Sequence, residues 1–372
     1  MPTAFLRDIR VLDLSQFLPG PFATQMLADM GADVVKVEPP KGDPMRALDP
    51  VTNDRGESPY HALVNAGKRV VTLDLKTDAD KETFTDLVRA ADVLMESYRP
   101  GVMERLGFGH EILKDLNPGL VHCALSGFGQ NGPMRLTGGH DINYVATAGQ
   151  LGLTGSSAAP HMAYPMVADY AGAMQSTVAI LGALVGRGKT GQGAYLDVAM
   201  SDSVLSWQSQ ALTALHRGQA PARGQSLLTG GAAFYGVYQT ADDRFVSLGA
   251  IETVFWENFC NAVGRADLIE RQHEPLPQTD LIEDVAGIFK QKDRDAWDAL
   301  FKNVDCCYHP VLEIDEVATH PQNTARGLIR KQDGADAIAV LQPFWTDNEP
   351  PMPRTPLREV QATDIVKEWK RG

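Results

Sequence analysis

The chain has 372 residues, 44% of them hydrophobic: enough for a sizeable core and too many for one small domain. Its 34 Lys and Arg against 47 Asp and Glu give a net charge of −13, which repels a nucleic-acid backbone and confines any anionic ligand to places where basic residues gather. Four cysteines without a CxxC pair fit a reducing cytoplasm. The first residues lack a signal-peptide core. The most apolar stretch, 171–186, is too short for a membrane span, and Gln175 and Ser176 interrupt it.

Residues 9–14 read as a strand, 21–30 as a helix with Pro21 in its first turn, and 33–38 as a second strand. Such a β-α-β unit carries parallel strands and a right-handed crossover. A loop with Pro39, Pro40, Gly42 and Pro44 follows. A strand at 69–75, a helix at 79–90, a strand at 92–96, short helices at 101–106 and 110–116 and a strand at 120–125 continue the alternation. The pattern predicts a doubly wound, Rossmann-like α/β domain. A long helix at 167–187, a strand at 194–199 and a helix at 201–216 come next. From 225 the texture changes to a hairpin, 233–239 and 244–250, and helices at 253–263, 277–290 and 293–302. The expected division is a large domain over 1–200, a linker helix region over 201–224, a smaller α+β domain over 225–325, and a C-terminal segment, 326–372, returning to the large domain. That last segment holds a short strand at 337–341, a Pro-rich run and an amphipathic helix at 361–370.

Several stretches suit chemistry. Gln16 lies in a strand–turn–helix passage, Leu14 to Pro21, that resembles an anion site but is not GxGxxG. Lys36, Lys41, Arg46, Lys68, Arg69, Lys76, Arg99 and Arg105 cluster in the first domain, several of them at strand ends or in the loops that follow. Each is a solvated charge or part of a polyphosphate site. Gly138-Gly139 runs into His140 and Asp141 at the start of a helix. A helix N-terminus offers free N–H groups to a developing oxyanion, and a neutral histidine there suits removal of a proton beside a thioester carbonyl. The alternative is a helix cap at Asp141 and a packing role for His140. Asp169 opens an apolar helix, as a cap or as a working acid. Glu252 ends an apolar strand and either begins a helix or reaches a histidine. No metal-ligand spacing is present.

These segments together resemble the family III CoA-transferase superfamily, also called CaiB/BaiF, and most of all its α-methylacyl-CoA racemase branch. The resemblance rests on 11–14 (VLDL), 27–38 (LADMGADVVKVE), 68–76 (KRVVTLDLK), 96–107 (ESYRPGVMERLG), 126–133 (SGFGQNGP), 139–144 (GHDINY), 167–169 (VAD), 249–252 (GAIE) and 310–312 (PVL). It implies that His140 and Asp169 face opposite sides of the acyl α-carbon, one removing the proton and the other returning one. Asp141 and Glu252 are implied to support the histidine. Implied contacts to CoA are Gln16, Lys36, Arg46, Lys68, Arg69, Leu75, Arg99 and Arg105. CoA is the substrate's handle, and no further cofactor or metal is implied. The implied assembly is an interlocked homodimer, with each site between the large domain of one chain and the small domain of the other. The transferase branch uses the acid matching Asp169 as a nucleophile and usually lacks a histidine at position 140. Epimerisation of 2-methyl-branched acyl-CoA thioesters is therefore expected. CoA transfer between carboxylic acids is the alternative, and non-catalytic acyl-CoA binding an alternative of another class. The stretch Val37-Glu38-Pro39-Pro40 departs from racemases that carry an arginine there, and 41–60 is longer than in compact relatives.

Overall fold

The computed structural model describes residues 4–48, 58–333 and 337–371; the part of the long 41–60 stretch from 49 to 57 lies outside them. The chain divides into two compact units. One comprises Met1–Ala148, Pro165–Trp207 and His320–Gly372, and the other Gly149–Tyr164 and Gln208–Thr319.

In chain order the first unit begins β1 (Arg10–Asp13), α1 (Pro19–Asp29), β2 (Asp33–Glu38), α2 (Pro59–Val64), β3 (Arg69–Thr72), α3 (Asp78–Ala90) and β4 (Val93–Glu96). It continues with α4 (Val102–Leu106), α5 (His110–Leu116), β5 (Val121–Ser126) and α6 (Asp141–Thr147). The chain then passes through α7 (Gln150–Leu153), which belongs to the second unit, and returns with α8 (Val167–Thr190), β6 (Ala194–Ala199) and α9 (Met200–Leu205). The second unit holds α10 (Ser209–His216), β7 (Tyr235–Gln239), β8 (Phe245–Gly249), α11 (Thr253–Ala262), α12 (Thr279–Phe289), α13 (Arg294–Phe301), β9 (Tyr308–Pro310) and α14 (Ile314–Val317). The chain closes in the first unit with α15 (Pro321–Arg326), β10 (Ile329–Gln332), β11 (Ala337–Val340), β12 (Arg358–Glu359) and α16 (Ala362–Arg371).

Seven strands form one parallel sheet in the order β12-β3-β2-β1-β4-β5-β6. Its central strands are apolar along nearly their whole length because both faces are covered. Leu12, Val35 and Leu94 are completely buried. Phe84, Leu87 and Val88 of α3, Leu113 of α5 and Ile365 and Trp369 of α16 join one core cluster with the sheet. Helices α1 and α8 pack together, with α8 against β5 and β6. The last helix is pinned by the Trp369 Nε1–H, which donates to Asp33 Oδ2 at 2.6 Å.

The second unit is built on an antiparallel sheet, β7-β8-β9. Trp256, Phe259, Phe289, Trp297 and Phe301 fill its core as a chain of stacked and edge-on rings.

Three differences from the sequence reading have local causes. The segment 149–164 groups with the second unit, because Arg223 donates to the carbonyls of Ser156 at 2.8 Å and Gly152 at 3.0 Å. The single helix expected over 201–216 is interrupted by a 3₁₀ turn, Ser206–Gln208, and the units divide between Trp207 and Gln208. The strand expected over 69–75 stops at Thr72, because Asp74 turns the chain: its carbonyl accepts from the Thr77 N–H at 2.9 Å and its carboxylate from the Lys76 N–H at 3.1 Å.

Candidate active site

In an open parallel sheet, ligands bind beyond the carboxyl ends of the strands where the strand order reverses. Here that point lies between β1 and β4. Gln16 and Ser97 follow these strands, and the Gln16 N–H donates to Ser97 Oγ at 2.9 Å, tying the two loops together. Phe17 is held at φ 62°, a strained position for an aromatic residue, and its N–H donates to Asp43 Oδ1 at 3.3 Å.

Of the eight basic residues expected at phosphates, four pair with carboxylates of the chain. Lys36 is fully buried, donating to the Ser15 carbonyl at 2.7 Å and lying 3.0 Å from Asp43 Oδ2. Lys68, also buried, donates to Asp13 Oδ2 at 3.0 Å, the Pro21 carbonyl at 2.8 Å and Asn65 Oδ1 at 2.9 Å. A buried ammonium needs such partners to offset its lost hydration. Burial pushes Lys68 down to about 8 against the pull of Asp13. Burial also opposes ionisation of Glu38, but His61 and Arg46 hold its carboxyl down at about 2. Arg46 pairs with Glu38 at 2.7 Å and with Glu359 at 3.4 Å. Arg69 stands at the amino end of β3, away from the crevice, paired with Asp33 and with Glu368. Leu75 packs into the core. Lys41, Lys76, Arg99 and Arg105 are exposed.

The histidine and the two aspartates come together where α6 and α8 begin. His140 is the extended residue at the head of α6, at φ −129° and ψ 176°. Its backbone N–H donates to Asn143 Oδ1 at 3.0 Å, and the Asn143 N–H to its carbonyl at 2.8 Å, which fixes the turn. Its imidazole is exposed. Asp141 does not support that imidazole as expected. Its Oδ1 accepts from the N–H groups of Ala168 at 2.6 Å and Asp169 at 3.2 Å, so it caps α8 from another helix. Helix α8 has Met166 at its N-cap and no side-chain cap of its own. Asp169 is then three residues into α8 rather than its cap. Burial first, and the like charge of Asp141 second, push its carboxyl up to about 6, while His140 pulls the other way. A carboxylate of this kind and an imidazole can each take or give a proton near neutral pH.

Tyr144 forms a wall that the sequence reading quoted but gave no role. Its hydroxyl donates to the Gly139 carbonyl at 2.6 Å. A Cβ on Gly127 would overlap its ring, so glycine is required there. Arg99 packs on the same turn: a Cβ on Gly138 would come 3.0 Å from its Nη2. Arg99, Asp169 and Asp141 all act on the Tyr144 phenol, which burial pushes above its ordinary range. Glu96, which opens one of the segments that carry the resemblance, has no role assigned from the sequence. It ends β4, is almost fully buried, and accepts the Tyr98 N–H at 2.6 Å. Burial raises its carboxyl to about 8. Its only sequence signal is an acid closing an apolar strand.

Glu252, on the second unit, begins α11 and makes no side-chain cap there. No group of three or more His, Cys, Asp or Glu side chains among the described residues could hold a metal ion.

The order of the sheet and the loops at its switch point are those of a Rossmann-type α/β protein. CoA-transferase family III matches residues 6–357, and the chain belongs to that family. It is 35% identical to the human α-methylacyl-CoA racemase, over 98% of this chain and 93% of that protein. It is 40% identical to a succinyl-CoA:mesaconate CoA-transferase of Haloarcula hispanica, over 71% of this chain and 68% of that one. A CaiB/BaiF family protein from Brucella suis superposes with a TM-score of 0.84 at 27% identity, covering 98% of this chain and 99% of the other.

Proposed function

We propose that the protein epimerises 2-methyl-branched acyl-CoA thioesters by 1,1-proton transfer through an enolate. The observation that carries this is the juxtaposition of His140 with Asp169, whose carboxyl is raised to about 6. One group removes the α-proton and the other delivers a proton to the opposite face. The N–H groups at the start of α6 lie at the same turn for the enolate oxygen. CoA is part of the substrate, and neither a metal nor a nicotinamide takes part. The likeness to a racemase along nearly the whole chain supports this reading.

The working unit is a homodimer in the cytoplasm. Met174, Val178 and Val185 form an exposed apolar stripe on α8, spaced to share one face, which supports burial against a second copy. The four cysteines are free. Among the described residues no helix is long and apolar enough to cross a membrane.

The second reading is CoA transfer between carboxylic acids with Asp169 as nucleophile, favoured by the likeness to the mesaconate enzyme. Single substitutions separate the two. In a racemase, His140→Ala and Asp169→Ala each abolish epimerisation. A His140→Ala variant that keeps full activity while Asp169→Ala is dead, together with CoA appearing on an added carboxylic acid, refutes the racemase and establishes the transferase.

A further inference from the structure

We propose that a second site, formed by His110, Lys114, His122 and Tyr195 at the amino edge of the large sheet, binds a small organic carboxylate. The inference does not depend on the acyl-CoA reading, since none of these residues belongs to the site where α6 and α8 begin.

The first observation is an orphaned imidazole. His122 is the second residue of β5 and pairs in parallel register with Tyr195, the second of β6. It is 3% exposed, and neither ring nitrogen has a hydrogen-bond partner among the described residues. Burial first, and His110 second, hold the ring down at about 4, so it is uncharged at neutral pH. Whichever nitrogen then carries the proton is a donor without an acceptor. His110, on α5, has its ring centroid 5.9 Å from that of His122, and its Nδ1 is buried and unpartnered too. Buried polar groups are as a rule paired, so two orphans side by side point to a partner that the chain does not supply.

The second is space. Both histidines line a cavity of about 130 Å³, together with Lys114, Tyr195, Leu113 and Leu120. A cavity of roughly 150 Å³ holds benzene, a ligand about the size of butyrate. Tyr195 lies on the edge strand, stacks on His110 at 4.4 Å and covers His122 at 4.9 Å between ring centroids. It is exposed, so it is free to swing outward and admit a ligand to the imidazole nitrogens.

The third is charge. None of the ten residues lining the cavity is acidic, although the chain carries 47 Asp and Glu. The carboxylates that act on Tyr195, those of Glu96, Asp197 and Glu104, lie outside the lining. Lys114 is exposed and makes no ion pair among the described residues. An ammonium and imidazole N–H groups are donors, and a carboxylate is all acceptor, so the two sets match through charge-assisted hydrogen bonds. The buried side chains of Leu113 and Leu120 suit a short hydrocarbon tail and favour an organic anion over a strongly hydrated inorganic one.

The test is titration of the full-length protein, labelled with 15N in its histidine rings, with sodium butyrate, with butyramide as the neutral isostere, and with sodium phosphate. Butyrate should shift the ring nitrogens of His122 and saturate at a dissociation constant of about 1 mM or tighter. Butyramide and phosphate should bind about tenfold more weakly or worse. His122→Phe, which fills the space and removes both nitrogens, should abolish the saturable binding. Lys114→Gln, at an exposed side chain, should weaken it at least threefold. Thermal melts check that both variants fold. If His122→Phe does not fold, the His122 shifts of the wild type and the Lys114→Gln affinity decide. Absence of any His122 shift at about 50-fold the expected constant overturns the proposal. So does butyramide or phosphate binding as tightly as butyrate, butyrate binding that survives His122→Phe, as an ion held elsewhere would, or an affinity untouched by Lys114→Gln.

Discussion

Replacing Asp169 by Asn should make the protein more stable at pH 8 and leave it unchanged at pH 4. The carboxyl of Asp169 stands at about 6 in the folded protein against an ordinary 3.8, because burial and Asp141 both disfavour its charge. In the unfolded chain the ionised group is hydrated and far from Asp141. The folded state is therefore favoured most when pH is below 3.8, and this favour is lost as pH rises through about 6. The interval from 3.8 to about 6 corresponds to about 3 kcal/mol. Asp169 is partly exposed, and discounting for solvent screening leaves about 1–2 kcal/mol. Asparagine keeps the shape and removes the charge, so it gains that amount above pH 7 and nothing at pH 4. Melts of both proteins across this range should show a gap opening with pH to about 2–4 °C. A gap that is constant with pH, or an Asn variant less stable at pH 8, refutes an uncompensated carboxylate at this position. The same substitution abolishes epimerisation, so stability and activity should move in opposite directions.

Asp141→Ala removes both hydrogen bonds at the start of α8 and should cost about 1–2 kcal/mol in urea unfolding. It also removes the charge that raises Asp169, so the acidic limb of the exchange rate should move to lower pH. Tyr144→Phe loses the bond to the Gly139 carbonyl, should cost about 1 kcal/mol, and should lower kcat by loosening the turn that carries His140. Glu96 contributes stability that is present below its ordinary 4.5 and lost as pH rises through about 8. Glu96→Gln should therefore flatten the decline in Tm between about pH 5 and 8. Lys68→Met leaves Asp13 buried without its closest cation and should destabilise by about 3–5 kcal/mol.

The alternation of apolar strands with helices made the parallel sheet legible, because buried parallel strands read as continuous apolar runs. What escaped depended on contacts between distant residues. Asp141 read as a partner of its neighbour His140, but it caps a helix that begins 26 residues later by hydrogen-bonding the Ala168 N–H. Lys36 and Lys68 read as solvated charges or contacts to CoA, since a sequence shows a charge but not its burial or its partner. Arg69 read as a ligand-site residue because the direction of the crevice depends on which end of each strand the sheet presents. The segment 149–164 changed units through Arg223, some 70 residues away. Local sequence left His140 and Asp169 open between capping or packing and chemistry, and their pairing was implied by the resemblance to the CoA-transferase family; the fold packs α6 against α8, the helices that carry them.

The most direct measurement is incubation of the enzyme with an (R)-2-methylacyl-CoA in D2O, without any acceptor acid, followed by mass and chiral analysis of the thioester. Removal of the α-proton by one of His140 and Asp169 and delivery of a solvent-exchanged deuteron by the other predict one deuterium at C2 together with loss of configuration. A thioester recovered undeuterated and fully (R), with CoA passed on only once a carboxylic acid is added, would contradict it.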